Sequence, residues 1–323
     1  MTHRPDLQLT RAHERLREEL SDDGVTLPGS PLEVDILLTE LEHARRPPPF
    51  EGRPNIYGSF VLPGERSLIN IDNLVEILDL PMPIEQARRF SDGRSSFVVR
   101  RADGCPQLAC FRRTIQYEAD LVDIESSTGA SIVQRTIMGT TRVFTPSGAV
   151  EWNGHRWQFR PSARMHLPAL SAAVPEAPKP LLRGLLDLAV HWLSPARIGA
   201  TFLLDLDPVP DDAHGFDMSA ALDSPALSVL ERHHYPPLFA VLAQTDLATL
   251  VDINGAVGSL GVGLRSSVES ERAVQMATGM RHRSAARYTW DHHHTVAFVV
   301  SEDGPVTLFR RGLPIAVRNG IAD

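Results

Sequence analysis

Three short stretches carry the residues best suited to chemistry. The first is Asn254-Gly255-Ala256, inside LVDINGAVGSLGVGL (Leu250–Leu264). A glycine-rich turn after a strand is a common cradle for phosphate, because its backbone N–H groups converge. It is not in G-x-G-x-x-G register and no helix follows directly, so a Rossmann site is excluded. Asn-Gly between apolar runs is equally a hairpin signal, and both readings stay open here. The second stretch is Gly279-Met280-Arg281-His282-Arg283-Ser284, just ahead of a helical pattern. A helix N-terminus offers free N–H groups to an anion. Arginine adds fork-shaped donors, and His282 is placed to donate to a phosphate or leaving group. The plain alternative is a solvated, arginine-rich helix face. The third is Ser301-Glu302, closing the apolar run TVAFVV. A carboxylate at a strand end suits Mg²⁺ or Mn²⁺ beside phosphates, or else it is a turn acid.

Other reactive residues are sparse. The only lysine is Lys179, in VPEAPKPLL, so neither a P-loop nor a protein-kinase lysine is present. Any phosphate must be held by arginine, backbone N–H groups or metal. Cys105 and Cys110 form a lone C-x4-C without the second pair that zinc requires. They read as inert thiols, with a redox pair as the alternative. His233-His234 and His292-His293-His294 suggest metal at first sight, but adjacent histidines on a regular element point apart.

The elements that must position these residues follow from periodicity. The chain has 323 residues, 42% hydrophobic and 22% charged, with net charge −8 and pI near 5.9. That balance argues against nucleic acid or an anionic membrane as partner. No apolar run is long enough to span a bilayer and the N-terminus is too polar for a secretory signal; a cytoplasmic protein is expected. Residues 1–50 predict helices, one starting at Ser30-Pro31. Residues 56–160 predict strands, with turns at Pro146-Ser147-Gly148 and Asn153-Gly154, and NLVEILDLPM as a short helix. Residues 181–312 alternate: helices over LLRGLLDLAVHWL, SPALSVLERH and PPLFAVLAQ (the last two broken by Pro236-Pro237), VESERAVQMAT and RSAARYTWD. Strands are expected over GATFLLDLD, LATLVDI, AVGSLGVGL, TVAFVVSED and PVTLFRRG. The expected organisation is a largely β, α+β N-terminal domain (1–165), an Ala/Pro-rich linker (166–180) and an α/β domain with a mixed sheet flanked by helices (181–323).

In this order, NGAV, TGMRHRSAA and VVSEDG resemble the signatures of the diadenylate cyclase (DAC) domain family. The likeness rests on Gly255-Ala256, then Gly279, Arg281, His282, Arg283 and Ala285, then Ser301 and Glu302, and covers about residues 180–312. It implies ATP as substrate, cyclic di-AMP and pyrophosphate as products, Mg²⁺ or Mn²⁺ as cofactor, and a homodimer or higher oligomer with domains face to face. The N-terminal part would be a variable sensory region. By the same resemblance RIGATFLL brings Gly199, Ala200 and Thr201 to the adenosine. Gly255, Ala256, Gly279, Met280, Ser284 and Ser301 join them at the nucleotide. Two positions depart from the family: Asn254 replaces its aspartate, and Met280 the threonine before Arg-His-Arg. Asn254 cannot accept a proton and binds cations weakly. Asp252, two residues earlier in the same strand, points to the same face as Asn254, and with Glu302 is the candidate metal ligand. A degenerate domain that binds ATP or a cyclic dinucleotide as a regulator is the alternative.

Overall fold

The computed structural model describes residues 7–47, 55–64, 71, 73–102, 104–206, 215–275, 279–302, 304 and 306–315. The chain divides into two compact units, residues 1–161 and 162–323.

The first unit begins with α1 (Leu7–Asp22) and α2 (Pro31–Arg45). Ser30 caps α2 in a capping box with Glu33, and Pro31 occupies the first turn, where its missing N–H costs nothing. Then come β1 (Tyr57–Val61), β2 (Val75–Asp79), α3 (Ile84–Ala87), β3 (Ser96–Arg100) and β4 (Gln107–Phe111). α4 (Glu118–Thr128), β5 (Ser131–Arg135), β6 (Thr141–Thr145), β7 (Gly148–Trp152) and β8 (Trp157–Pro161) complete it. The eight strands form one sheet in the order β2-β4-β3-β1-β5-β6-β7-β8. Only β1 and β3 pair in parallel. Alternation sends Tyr57, Val98, Val133, Val143 and Val150 to a core shared with Leu16, Leu20, Leu37 and Leu41 of α1 and α2. Phe60, Phe97, Ile132 and Phe144 face the other way, onto Leu121 and Ile124 of α4. The segment expected to be a helix, NLVEILDLPM, is instead β2. It completes its backbone hydrogen bonds along β4, which outweighs its weak helical pattern.

Each face of this sheet buries a carboxylate between two arginines. Glu40, with no exposed surface, accepts from the Tyr57 hydroxyl, from Arg88 at 3.1 Å and from Arg100. Glu118 holds Arg142 at 3.1 Å and Arg160 at 2.7 Å. Breaking such a pair strands a buried charge. Next to Glu40, His43 stands edge-on to Tyr57 with ring centroids 4.7 Å apart. Burial, reinforced by Arg88, lowers its pKa to about 4.

The second unit contains α5 (Ala163–Ala173), α6 (Lys179–Asp187), β9 (Ala200–Asp205), β10 (Phe216–Asp217), β11 (Leu222–Asp223) and α7 (Tyr235–Leu242). These are followed by β12 (Ala248–Val251), β13 (Ser259–Leu260), β14 (Gly263–Leu264), α8 (Val268–Ala273), α9 (Met280–Asp291), β15 (Thr295–Val300), β16 (Val306–Arg310) and β17 (Leu313–Ile315). The main sheet runs β12-β9-β15-β16-β17, with β12 and β9 parallel and the rest antiparallel. β10 pairs with β14 and β11 with β13. α9 packs Ala285, Ala286 and Tyr288 against Leu203, Ala297, Val299 and Phe309 on one face. All six residues of β15 are buried, as expected for a strand covered on both faces.

Three expectations change here. Of the expected linker, residues 166–173 lie within α5, whose alanines and leucines outweigh Pro168. SPALSVLERH is extended rather than helical over its central residues. Val229 N–H donates to the Gly255 carbonyl and Val257 N–H to that of Leu227, both at 2.9 Å. Pro236 and Pro237 begin α7 instead of breaking it. In the β15–β16 hairpin Asp303 lies outside the described residues.

His43 sets a pH test of the first unit. Folded His43 stays neutral down to about 4, whereas an unfolded histidine protonates near 6.5. Its contribution is therefore complete above about pH 6.5 and is lost as pH falls toward 4, at up to about 1.4 kcal/mol per pH unit. Denaturant unfolding of wild type and His43→Phe across that window is expected to give diverging slopes. Parallel curves would contradict the assignment.

Candidate active site

The main sheet decides which candidate residues can meet. β9 leaves a tight connection: α6 widens into a π-type turn over Leu188–Leu193, a single 3₁₀ turn covers Ser194–Ala196, and Arg197 takes a left-handed conformation with φ 56°. Gly199 follows immediately before the strand. Val300 pairs with Ala200, so Ser301 and Glu302 leave β15 beside Gly199. Ala248 pairs with Thr201, so the loop carrying Asp246 and Leu247 enters β12 at that same end. α9 begins there too. Arg281, in its first turn, donates from Nη1 to Glu302 Oε1 and from Nη2 to Asp246 Oδ1, both at 2.9 Å.

Gly199 is required by this arrangement. A Cβ on it would stand 2.3 Å from Arg281 Nη1 and 3.1 Å from Glu302 Cγ. Strain collects at this end as well. Arg197 and Leu247, at φ 56° and 73°, are two of the three described non-glycine residues with positive φ. A bulky residue in that region is rare outside sites that hold it there. Leu247 N–H donates to Asp246 Oδ1 at 2.9 Å. That bond, followed by Arg281, lowers the Asp246 pKa and keeps its carboxylate ionised. Asp246 was not legible as a site residue: its signal was an acid just before a strand, among many acids.

The other members of the Arg-His-Arg stretch separate. The motif lies within the first turn of α9 rather than ahead of it, because Gly279 is the N-cap. Gly279 supplies no side-chain cap and is open around its Cα, and Met280 is 76% exposed. Among the described residues no side chain of the N-cap satisfies the first N–H groups of this twelve-residue helix. Arg283 is partly exposed and makes no ion pair among the described residues, and Ser284 is exposed. His282 turns inward. Its Nε2 lies 3.2 Å from Thr307 Oγ1 and its ring stands edge-on to Phe309 at 5.9 Å. Burial, then Arg281, lowers its pKa below 6.5. The ring packs α9 against β16 through Thr307 and Phe309 while His282 itself stays partly exposed. Ala200 and Thr201 are buried within β9, and Ser301 accepts from Gly304 N–H at 2.9 Å in the turn that follows β15.

The glycine turn is elsewhere. Val251, the last residue of β12, pairs with Leu204 near the far end of β9. Gly199 and Leu204 are five residues apart, so the turn lies roughly 16 Å from the Arg281 cluster at ~3.3 Å rise per residue. Geometrically it is a hairpin: Val251 bridges Val257, and Gly255, at φ 81°, donates to the Asp252 carbonyl at 2.9 Å. Asp252 and Asn254 do not alternate along a strand. Asp252 Oδ1 accepts from Asn254 N–H at 2.9 Å and from Ala256 N–H at 2.8 Å. It holds the turn together, while Asn254 and Ala256 are exposed. Leu230 covers Gly255, where a Cβ would meet it at 2.8 Å.

The adjacent histidines and the cysteines lie apart from the Arg281 cluster's hydrogen bonds. His234 Nδ1 accepts from Ser228 N–H at 3.0 Å, and both cysteines are free thiols. No cluster of three or more His, Cys, Asp or Glu able to hold a metal occurs among the described residues, and no described helix is long and apolar enough to cross a membrane.

Comparison with known proteins adds the following. Residues 187–313 match the family model of the DisA bacterial checkpoint controller nucleotide-binding domain, and residues 14–160 match that of the probable sensor domain DACNK. No curated protein matches by sequence. Among solved structures, a hypothetical membrane spanning protein from Bacillus cereus aligns at 21% identity over 38% of this chain and 56% of its own, with TM-score 0.30. A double mutant of DacA from Staphylococcus aureus aligns at 17% identity over 49% of this chain and 88% of its own, with TM-score 0.26. Alignments this loose carry no structural argument, and this chain spans little more than half of the first. The first of these family models falls wholly within the second unit, over its α/β sheet. More narrowly, the chain carries a domain of the DAC family behind a DACNK domain.

Gly199→Ala tests the cluster directly. The added methyl displaces the flexible guanidinium rather than the backbone, so the melting temperature of the free protein is expected to stay within about 2–4 °C, a shift of about 1 kcal/mol. Thermal stabilisation by ATP is expected to disappear. A variant stabilised by ATP as strongly as wild type would contradict the geometry.

Proposed function

We propose that this protein is a diadenylate cyclase that joins two ATP molecules into cyclic di-AMP when two copies meet face to face. The observation that carries this reading is the separation of the site into two ends of one sheet. Arg281, Arg283 and the open start of α9 make a phosphate-binding end. The Asp252–Ala256 turn makes the other, too far away to reach the same phosphate within one chain. A facing copy supplies the turn that a bound nucleotide lacks.

In the reaction each 3′-hydroxyl attacks the α-phosphorus of the other ATP, one P–O bond forms as another breaks, and pyrophosphate leaves. Such transfer depends on positioning and on neutralising phosphate charge. Arg281 and Arg283 take phosphate oxygens, with helix N–H groups beside them. His282 keeps the first turn of α9 seated. A Mg²⁺ or Mn²⁺ ion fits this donor set, since Mg²⁺ commonly takes one or two carboxylates plus phosphates rather than a full protein cage. Glu302, oxygen-bearing and exposed, would hold it, and its chemistry is to neutralise charge on the triphosphate. Asp252 supports the metal less well, because one of its oxygens already serves two turn N–H groups.

A second reading has its own support: a DAC domain that binds nucleotide as a regulator without turnover. Asn254 is a neutral amide at the exposed tip of the turn, and Asp252 is occupied inside it. Incubating the full chain with labelled ATP and Mg²⁺ or Mn²⁺ separates the two. Cyclic di-AMP is expected, reduced about 10²–10³-fold in Arg281→Ala, the scale of losing one preorganised charge donor. ATP binding without product in either metal would contradict cyclase activity and favour the regulator.

A further inference from the structure

We infer that Asp246 is the carboxylate a nucleotide phosphate displaces from Arg281, and that it sets the affinity of the site for polyphosphate. This rests on the phosphate-binding role proposed for Arg281. Both ends of the guanidinium are occupied, Nη1 by Glu302 and Nη2 by Asp246, each at 2.9 Å. The acids lie on the solvent side: their side chains are 73% and 67% exposed for Asp246 and Glu302, against 30% for Arg281. An approaching ligand meets them first. On its inner side the guanidinium lies directly against Gly199, in the space a Cβ there would fill. Nor is Asp246 a loose surface acid. Leu247 N–H fixes its Oδ1 at 2.9 Å, and Leu247 holds φ 73° to do so.

Arg281 and its two carboxylates sum to −1, Arg283 in the same turn adds one positive charge, and both Nη groups of Arg281 are already taken. The phosphate therefore has to exchange with one acid. Glu302 closes β15 and is the metal-side carboxylate of the proposed site, so it stays near the phosphates after the exchange. Asp246 belongs to the loop before β12 and has no such second task. It acts on the ligand only through Arg281: a positioning residue that holds the guanidinium aimed outward while the site is empty and yields Nη2 when phosphate arrives.

The test is a double-mutant cycle read by calorimetry on the full chain. The probe is an ATP analogue with a methylene between its α and β phosphorus atoms, in Mg²⁺, with uncharged adenosine as a second probe. Asp246→Asn keeps the shape and removes the charge. It is expected to bind the analogue about fivefold tighter, the scale of one exposed ion pair, to bind adenosine as wild type does, and to show no gain in an Arg281→Ala background. Three results overturn the inference. These are unchanged or weaker analogue binding by Asp246→Asn, tighter binding of adenosine as well, or a gain that persists without Arg281, which would mark a general field effect. If Arg281→Ala alone binds the analogue as wild type does, the phosphate role of Arg281 fails first and this inference falls with it. Asp246→Ser, read in the same way, guards against misfolding of the asparagine variant.

Discussion

The second unit depends on the placing of one guanidinium. Arg281 lies between Glu302 and Asp246 with Gly199 beneath it, and these four residues come from four separate parts of the chain. Only the strand order β12-β9-β15 brings them together, since it sets the start of β9, the end of β15 and the loop before β12 at one edge. A side chain at Gly199 or a slip of one residue between β9 and β15 would remove the arrangement. A slip would also turn every buried residue of β15 to the wrong face. The core and the site are therefore specified by the same register.

That register also keeps the glycine turn away from the arginine cluster. The turn is a rigid hairpin with a structural aspartate inside it and an exposed amide at its tip. Among the described residues nothing connects the tip to Arg281, and the proposed cyclase reading therefore calls on a second copy. In the resting cluster two carboxylates share the one guanidinium of Arg281.

Much of the architecture was legible. The β-rich first half, the alternating second half, and the strands and helix around Arg281 follow from hydrophobic periodicity and turn residues. So does the start of α2, from Ser30 and Pro31. The errors have physical causes. NLVEILDLPM and SPALSVLERH carry helical patterns, but each completes its backbone by pairing with a distant strand or turn, and pairing partners are not visible locally. The supposed same-face relation of Asp252 and Asn254 assumed that the strand continued, whereas Asp252 ends it by binding the next N–H groups. Motif residues Arg281 and Glu302 were recognisable, but their partner Asp246 was not, because it belongs to no motif and earns its place through the fold alone. The buried carboxylates Glu40 and Glu118 were equally silent, each assembled from arginines tens of residues away.

The account stands or falls on whether the two ends of the sheet act across two copies. The direct measurement is complementation: Arg281→Ala and Asn254→Ala, each pure, assayed for pyrophosphate release from ATP separately and then mixed under conditions that allow subunits to exchange. The mixed dimer has one composite site with both ends intact. Release from the mixture well above the sum of the separate variants is the predicted result. A mixture no more active than its parts, beside an active wild type, would contradict a site shared between copies.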